Sequence, residues 1–140
     1  MRHLLRSSIA VLAGLLVGGL ANSAVLALGA RLVPPPEGVD VNDLESIKAH
    51  LDEYAPIQFL VPFLAHAAGT LVGAIVATRI GPGRRAGPAY VVAALFLLGG
   101  LSMLFLLPNS PRWFVALDLI VAYVPMAWLG SRVAAGSPRT

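Results

Sequence analysis

The sequence predicts an all-α membrane protein: a bundle of four transmembrane helices, both termini cytoplasmic, with a short amphipathic helix in the first outer loop. Three observations carry this reading. Of 140 residues, 57% are hydrophobic and only 12% charged, against about a quarter charged in a soluble domain. Charged residues leave four long gaps, at 7 to 30, 54 to 78, 86 to 111 and 113 to 131, the last interrupted only by Asp118. The basic residues are shared unequally between the loops that join those gaps. A hydrocarbon core about 30 Å thick needs roughly 20 apolar helical residues, so each gap is long enough to cross it. A surface with so few charges would associate in water; its solvent is the lipid bilayer. The whole chain reads as one membrane domain, with spans over about 7–32, 57–79, 87–107 and 112–133.

The first span follows Met1-Arg2-His3-Leu4-Leu5-Arg6, a basic start that also suits a secretory signal. Its apolar run from Ile9 to Ala30 exceeds the usual signal core of about 7 to 15 residues, so a retained helix is expected. Pro34-Pro35-Pro36 then ends the helix as a stiff polyproline spacer, and Gly38 permits a turn. Beyond it, Asn42 and Glu45 have capping-box spacing, and Leu44, Ile47, Leu51 and Tyr54 recur at helical intervals before Pro56. An amphipathic helix over about 43–54 follows, as a membrane-surface brace or as a lid or partner-binding surface. The segment "DVNDLE" lacks the alternating ligands and sixth-position Gly of a calcium loop.

Arg2, Arg6, Arg79, Arg84, Arg85, Arg132 and Arg139 fall on one side of the predicted topology, against Arg31, Lys48 and Arg112 on the other. The positive-inside rule therefore places both termini in the cytoplasm. Six of the seven acids lie between Glu37 and Glu53, and only Asp118 lies elsewhere. The net charge of +3 thus reflects topology, and no nucleic-acid partner is expected. Trp113 and Trp128 sit near the two ends of the fourth span, as interface anchors do. The inner turn "RIGPGRRAGP" is basic, tight and suited to anionic headgroups.

Lipid offers helices little hydrophobic reason to associate, so small residues that let backbones approach carry the packing. The second span has Ala65, Gly69, Gly73 and Ala77 at spacing four, and the first has Gly14 and Gly18 continued by Asn22. These stripes predict contact within the bundle or between copies in a homo-oligomer. Pro62 and Pro125 each free a carbonyl one turn back and permit a kink.

Three polar side chains stand inside the spans: Asn22, His66 and Asp118. They lie ~14, ~12 and ~9 Å below the outer boundaries at the helical rise, and Thr70 extends the polar track one turn below His66. An ionised Asp in hydrocarbon costs several kcal/mol, so it is paired, neutral or wet. His66 is the one ionisable partner near that height, with Asn22 to take up the remaining hydrogen bonds. The pair suits a helix-to-helix fastener or a proton or cation site on a transport route. Ser23 with His66 and Asp118 also has the residue types of a nucleophilic triad, but lacks a glycine-framed elbow and oxyanion donors. No cofactor or metal is expected: there is no cysteine, and His3, His50 and His66 belong to three depths.

The order of "VPPPEGVDVNDLES", "FLVPFLAHAAGTLVGAIVA" and "LPNSPRWFVALDLIVAYVPMAWLGSRV" resembles a family of small uncharacterised bacterial four-span membrane proteins. That resemblance implies a bacterial inner-membrane setting and no particular reaction. The pore motif of fluoride channels and the first-helix glutamate of small multidrug exporters are both missing. Two function classes stand: a non-catalytic accessory or membrane-organising bundle that binds a partner or itself, and an oligomeric channel or transporter for a small solute or ion that uses Asp118 and His66.

Overall fold

The computed structural model describes residues 1–136; Arg139, used in the charge count above, lies outside the described residues. Every regular element is helical: α1 (Arg2–Leu32), α2 (Leu44–Ala49), α3 (Pro56–Ile80), α4 (Gly87–Leu106), α5 (Arg112–Val121) and α6 (Val124–Gly136). Short 3-10 turns occupy Leu51–Glu53 and Pro82–Arg84. α1, α3, α4 and the combined α5–α6 segment are long and apolar enough to cross a membrane. The molecule is a multi-pass membrane protein built as a helix bundle.

α1 begins at Arg2, five residues before the expected start at 7. Arg6 has a reason to be helical there, because its Nε donates to the Ile80 carbonyl at 2.9 Å and ties the start of α1 to the end of α3. α1 stops where Val33 turns extended (φ −131°, ψ 80°), as a residue before proline must. Gln58 at the start of α3 reaches back across the loop: its Nε2 donates to the Pro34 carbonyl at 2.6 Å, and its Oε1 accepts from the Ala55 N–H at 2.7 Å.

The loop between α1 and α3 departs from the single helix expected over 43–54. Its cap is Asp43, whose carboxylate accepts from the Glu45 N–H, while Asn42 is drawn into a turn on Asp40 Oδ1 at 2.9 Å. The α-helix ends after Ala49 because His50 leaves helical geometry (φ −114°, ψ 14°). The His50 imidazole then takes the Ser46 carbonyl at 2.8 Å, the acceptor that its backbone N–H has left for Ile47. A side chain thus replaces the next helical hydrogen bond, and the segment continues as a 3-10 turn with Leu51 buried.

α3 is the central helix, packed against α1 most extensively and against α4, α5 and α6 as well. The stripes expected from the sequence face one another across α1 and α3. A Cβ on Gly14 would stand 2.7 Å from the Gly73 carbonyl oxygen, and one on Gly18 would stand 2.6 Å from that of Gly69. The reverse contacts are as close, Gly73 on Gly14 and Gly69 on Gly18. This reciprocity marks an antiparallel backbone-on-backbone seam in which Ala65 and Ala77 are also fully buried. The small residues are thereby spent within one chain. α6 joins α3 the same way, since a Cβ on Gly130 would meet the Leu71 carbonyl at 2.7 Å. Ala74, Ala89, Ala93 and Ala127 fill the center of the bundle between α3, α4 and α6.

The two prolines act differently. α3 runs unbroken through Pro62. The fourth span breaks at Ala122–Tyr123, between α5 and α6, because Pro125 has no N–H for the Val121 carbonyl.

The seam makes a measurable prediction. Gly18→Ala and Gly73→Ala are each expected to lower stability in detergent by about 1–3 kcal/mol, the usual cost of overpacking. Gly19→Ala, with nothing within 4 Å of its added carbon, leaves the melting temperature unchanged or raises it. Equal behaviour of the three variants would contradict the seam.

Candidate functional site

The break in the fourth span creates the polar center of the molecule. Asp118 on α5 and Tyr123 are five residues apart, which on a continuous helix would set them ~140° apart around the axis. Interrupting the helix after Val121 lets both side chains meet. The Tyr123 hydroxyl donates to Asp118 Oδ2 at 3.0 Å, and both residues are buried, Asp118 at 5% exposure and Tyr123 at 2%.

α3 supplies the third member. His66 Nδ1 lies 2.9 Å from Asp118 Oδ1, 3.1 Å from Oδ2 and 3.2 Å from the Tyr123 hydroxyl. Because Nδ1 faces two carboxylate oxygens, it carries a proton whether the ring is neutral or cationic. Nδ1–H therefore donates to the carboxylate, and the His66 and Tyr123 rings stack with centroids 5.9 Å apart and planes at 29°. α4 contributes by having no side chain: a Cβ on Gly100 would collide with the Tyr123 hydroxyl. Gly100 is what admits the phenol to its bond.

His66 also faces outward. Its side chain is 26% exposed, and its second ring nitrogen makes no hydrogen bond among the described residues. It lines a cavity of about 190 Å³ together with Asn22, Phe96 and Tyr123, and with Gly19 and Gly99, whose missing side chains leave the wall open.

The residues singled out in the sequence thus divide. His66 and Asp118 touch. Asn22 makes no hydrogen bond to them; it packs against Gly69 and lines the cavity, while Tyr123 takes the carboxylate position assigned to the amide. Thr70 is fully buried one turn below His66, but its hydroxyl has no hydrogen-bond partner among the described residues, so no chain of bonds continues from His66 through it. Ser23 is exposed on α1 and makes no hydrogen bond to His66. Gly14, Gly18, Ala65, Gly69, Gly73 and Ala77 build the seam that packs α1 against the helix carrying His66. Among the described residues, no three His, Cys or acidic side chains converge as metal ligands do.

Tyr123 is the member of the cluster missed in the sequence. Its signal was Pro125 two residues on, which implies a helix break and so cancels the angular argument against an Asp118 contact. At the loop-bearing end, Phe59 gathers Tyr54, Trp113 and Phe114 at centroid distances of 5.7, 6.0 and 5.2 Å. That cluster joins the α2 loop to the start of α5, and burial pushes the Tyr54 phenol above its ordinary pKa, keeping it neutral.

Comparison with family models, with curated proteins and with solved structures finds no match to this chain. The chemistry of the site stands on its geometry.

Removing one donor separates the members of the site. Tyr123→Phe is expected to cost about 1.5–3 kcal/mol, the range for a hydrogen bond to a charged group. His66→Leu costs more, about 3–5 kcal/mol, because it leaves a buried carboxylate without its ionisable partner. Unfolding in detergent measures both, and the opposite ranking would show that the phenol, not the imidazole, holds Asp118.

Proposed function

We propose that the chain is a non-catalytic membrane bundle, an accessory or membrane-organising protein of a bacterial inner membrane that binds a partner or itself. One observation supports this above the others. Both oxygens of Asp118 are engaged inside the protein, by His66 from α3 and by Tyr123 from the far side of the helix break. A carboxylate so enclosed is suited to clasping a broken span to the central helix. The polar track offers little else, since the Thr70 hydroxyl below it has no partner among the described residues. Self-association in this reading uses surfaces other than the glycine stripes, which α1 and α3 consume on each other.

A second reading has its own support. The cavity beside His66 gives the imidazole an open side next to the Asn22 amide. An oligomeric channel or transporter for a small solute or ion would use that opening and the Asp118–His66 pair, because ionisable groups inside membranes often mark such routes.

One variant separates the two. Asp118→Asn in proteoliposomes is expected to leave solute and proton flux at the level of protein-free vesicles, as for the native chain, and to lower thermal stability. Flux through the native protein that the variant abolishes, with fold and oligomer intact, would favour the transport reading instead.

The basic end of the bundle, with six arginines among the described residues, supports cytoplasmic termini by the positive-inside rule. The chain has no cysteine, so single substitutions give a labelling assay without background. Glu37→Cys is expected to react with a membrane-impermeant maleimide added to intact cells, and Arg85→Cys only after lysis. The reverse pattern would invert the topology.

A further inference from the structure

We propose that the cavity beside His66 binds a small phenol that arrives through the bilayer, its ring against Phe96 and its hydroxyl on the free edge of the imidazole. The cavity, about 190 Å³, lies where α1, α3 and α4 meet the helix break. Glycine makes its opening. Gly19 of α1 and Gly99 of α4 both line it, and a Cβ on either would meet nothing within 4 Å. The large side chains flanking these glycines, Leu16 and Leu20 on α1 and Leu95 and Leu98 on α4, are all exposed. Hydrocarbon therefore surrounds the mouth, and a ligand reaches it from the lipid. Phe96 forms the wall between the two helices, since a Cβ on Gly18 of α1 would stand 3.0 Å from its ring.

The polar atoms inside identify the occupant. Nδ1 of His66 is committed to Asp118, and Nε2 makes no hydrogen bond among the described residues. The Asn22 amide, on the same cavity, makes none among them either. Gly136, where the described residues end, is separated from the break by the 13 residues of α6, or ~20 Å at the helical rise. Nε2 accepts when the imidazole is neutral and donates when it is cationic. A hydroxyl, donor and acceptor at once, meets it in either state.

An acyl chain in this space would leave Nε2 and the amide without partners, which burial in hydrocarbon penalises. Water suits it no better: filling the volume takes about six molecules at ~30 Å³ each, most of them facing Phe96 and glycine instead of polar groups. An aromatic ring with one hydroxyl meets both demands. A cavity of ~150 Å³ already accommodates benzene, and the rings of Phe96, His66 and Tyr123 offer the stacked and edge contacts that aromatic pairs prefer. Such binding requires no flux, so it goes beyond the accessory reading without resting on it.

The full-length chain in detergent micelles, with isotopically labelled histidine nitrogens, tests the site by NMR during titration with phenol and with toluene, a near-isostere that lacks the hydroxyl. Phenol is expected to move the His66 Nε2 resonance saturably while His3 and His50, outside the cavity, stay in place. Toluene should bind about fivefold more weakly or worse, the scale of one hydrogen bond. Gly99→Leu, which fills the opening from a position where the added Cβ meets nothing, should abolish the phenol response. Equal affinity for toluene would mean an apolar occupant such as an acyl chain and would overturn the proposal. So would equal movement of all three histidines, which is partition into the micelle only, or full binding by Gly99→Leu. A His66 shift that follows protein concentration without phenol would mean that a second copy fills the cavity, and would overturn it too. The comparison of phenol with toluene uses the native chain, and decides the matter even if Gly99→Leu failed to fold.

Discussion

A carboxylate in hydrocarbon has no water to fall back on, and Asp118 makes that constraint the organising fact of this molecule. On insertion scales an aspartate at the center of a span costs about 2.5–3.5 kcal/mol. Hydrogen bonds to a charged group return about 1.5–3 kcal/mol each, so one donor mostly falls short of the cost and two, at about 3–6 kcal/mol, are enough to offset it. The protein supplies two, from His66 and Tyr123. Each donor imposes a further condition. His66 must sit at the height of Asp118, which the close packing of α6 on α3 at Gly130 favours. Tyr123 must turn toward it, which the break ahead of Pro125 allows, and Gly100 must leave the space.

The seam works by a different physics from the triad. Between Gly14 and Gly73, and between Gly18 and Gly69, backbone meets backbone with no side chain intervening. Such contacts draw on dispersion and weak backbone hydrogen bonding, which depend steeply on distance. A sliding motion of α1 along α3 would lose them all together. The helix that carries His66 is thus held to α1 by small residues, of which Gly69 lies three positions from the imidazole.

The spans were legible in the sequence because gaps between charges report directly on what lipid tolerates. The stripes on the first two spans were legible too, since spacing four on a helix means one face whatever the partner. Which partner they met was not, because an intrachain seam and a homomeric one ask for the same residues. His66 and Asp118 were paired by depth alone, a one-dimensional argument that worked because few polar groups competed. Tyr123 escaped that argument, which weighed Asn22, His66, Asp118 and Thr70 and not the phenol, whose angle to Asp118 on an unbroken helix is wrong. The loop cap moved from Asn42 to Asp43 for a similar reason, since Asp40 competes for Asn42 through a local turn that spacing rules do not weigh.

The interrupted fourth span bears on how the chain is made. At ten and thirteen residues, neither α5 nor α6 is long enough to cross a bilayer by itself, and the combined segment is the least hydropathic of the four. During synthesis it leaves the ribosome after α3, carrying an acid whose partners in α3 and at the break must be brought together in the bilayer. The contacts that offset its acid and its short helices are made to a neighbour synthesised earlier, so docking against α3 and residence in the membrane favour each other.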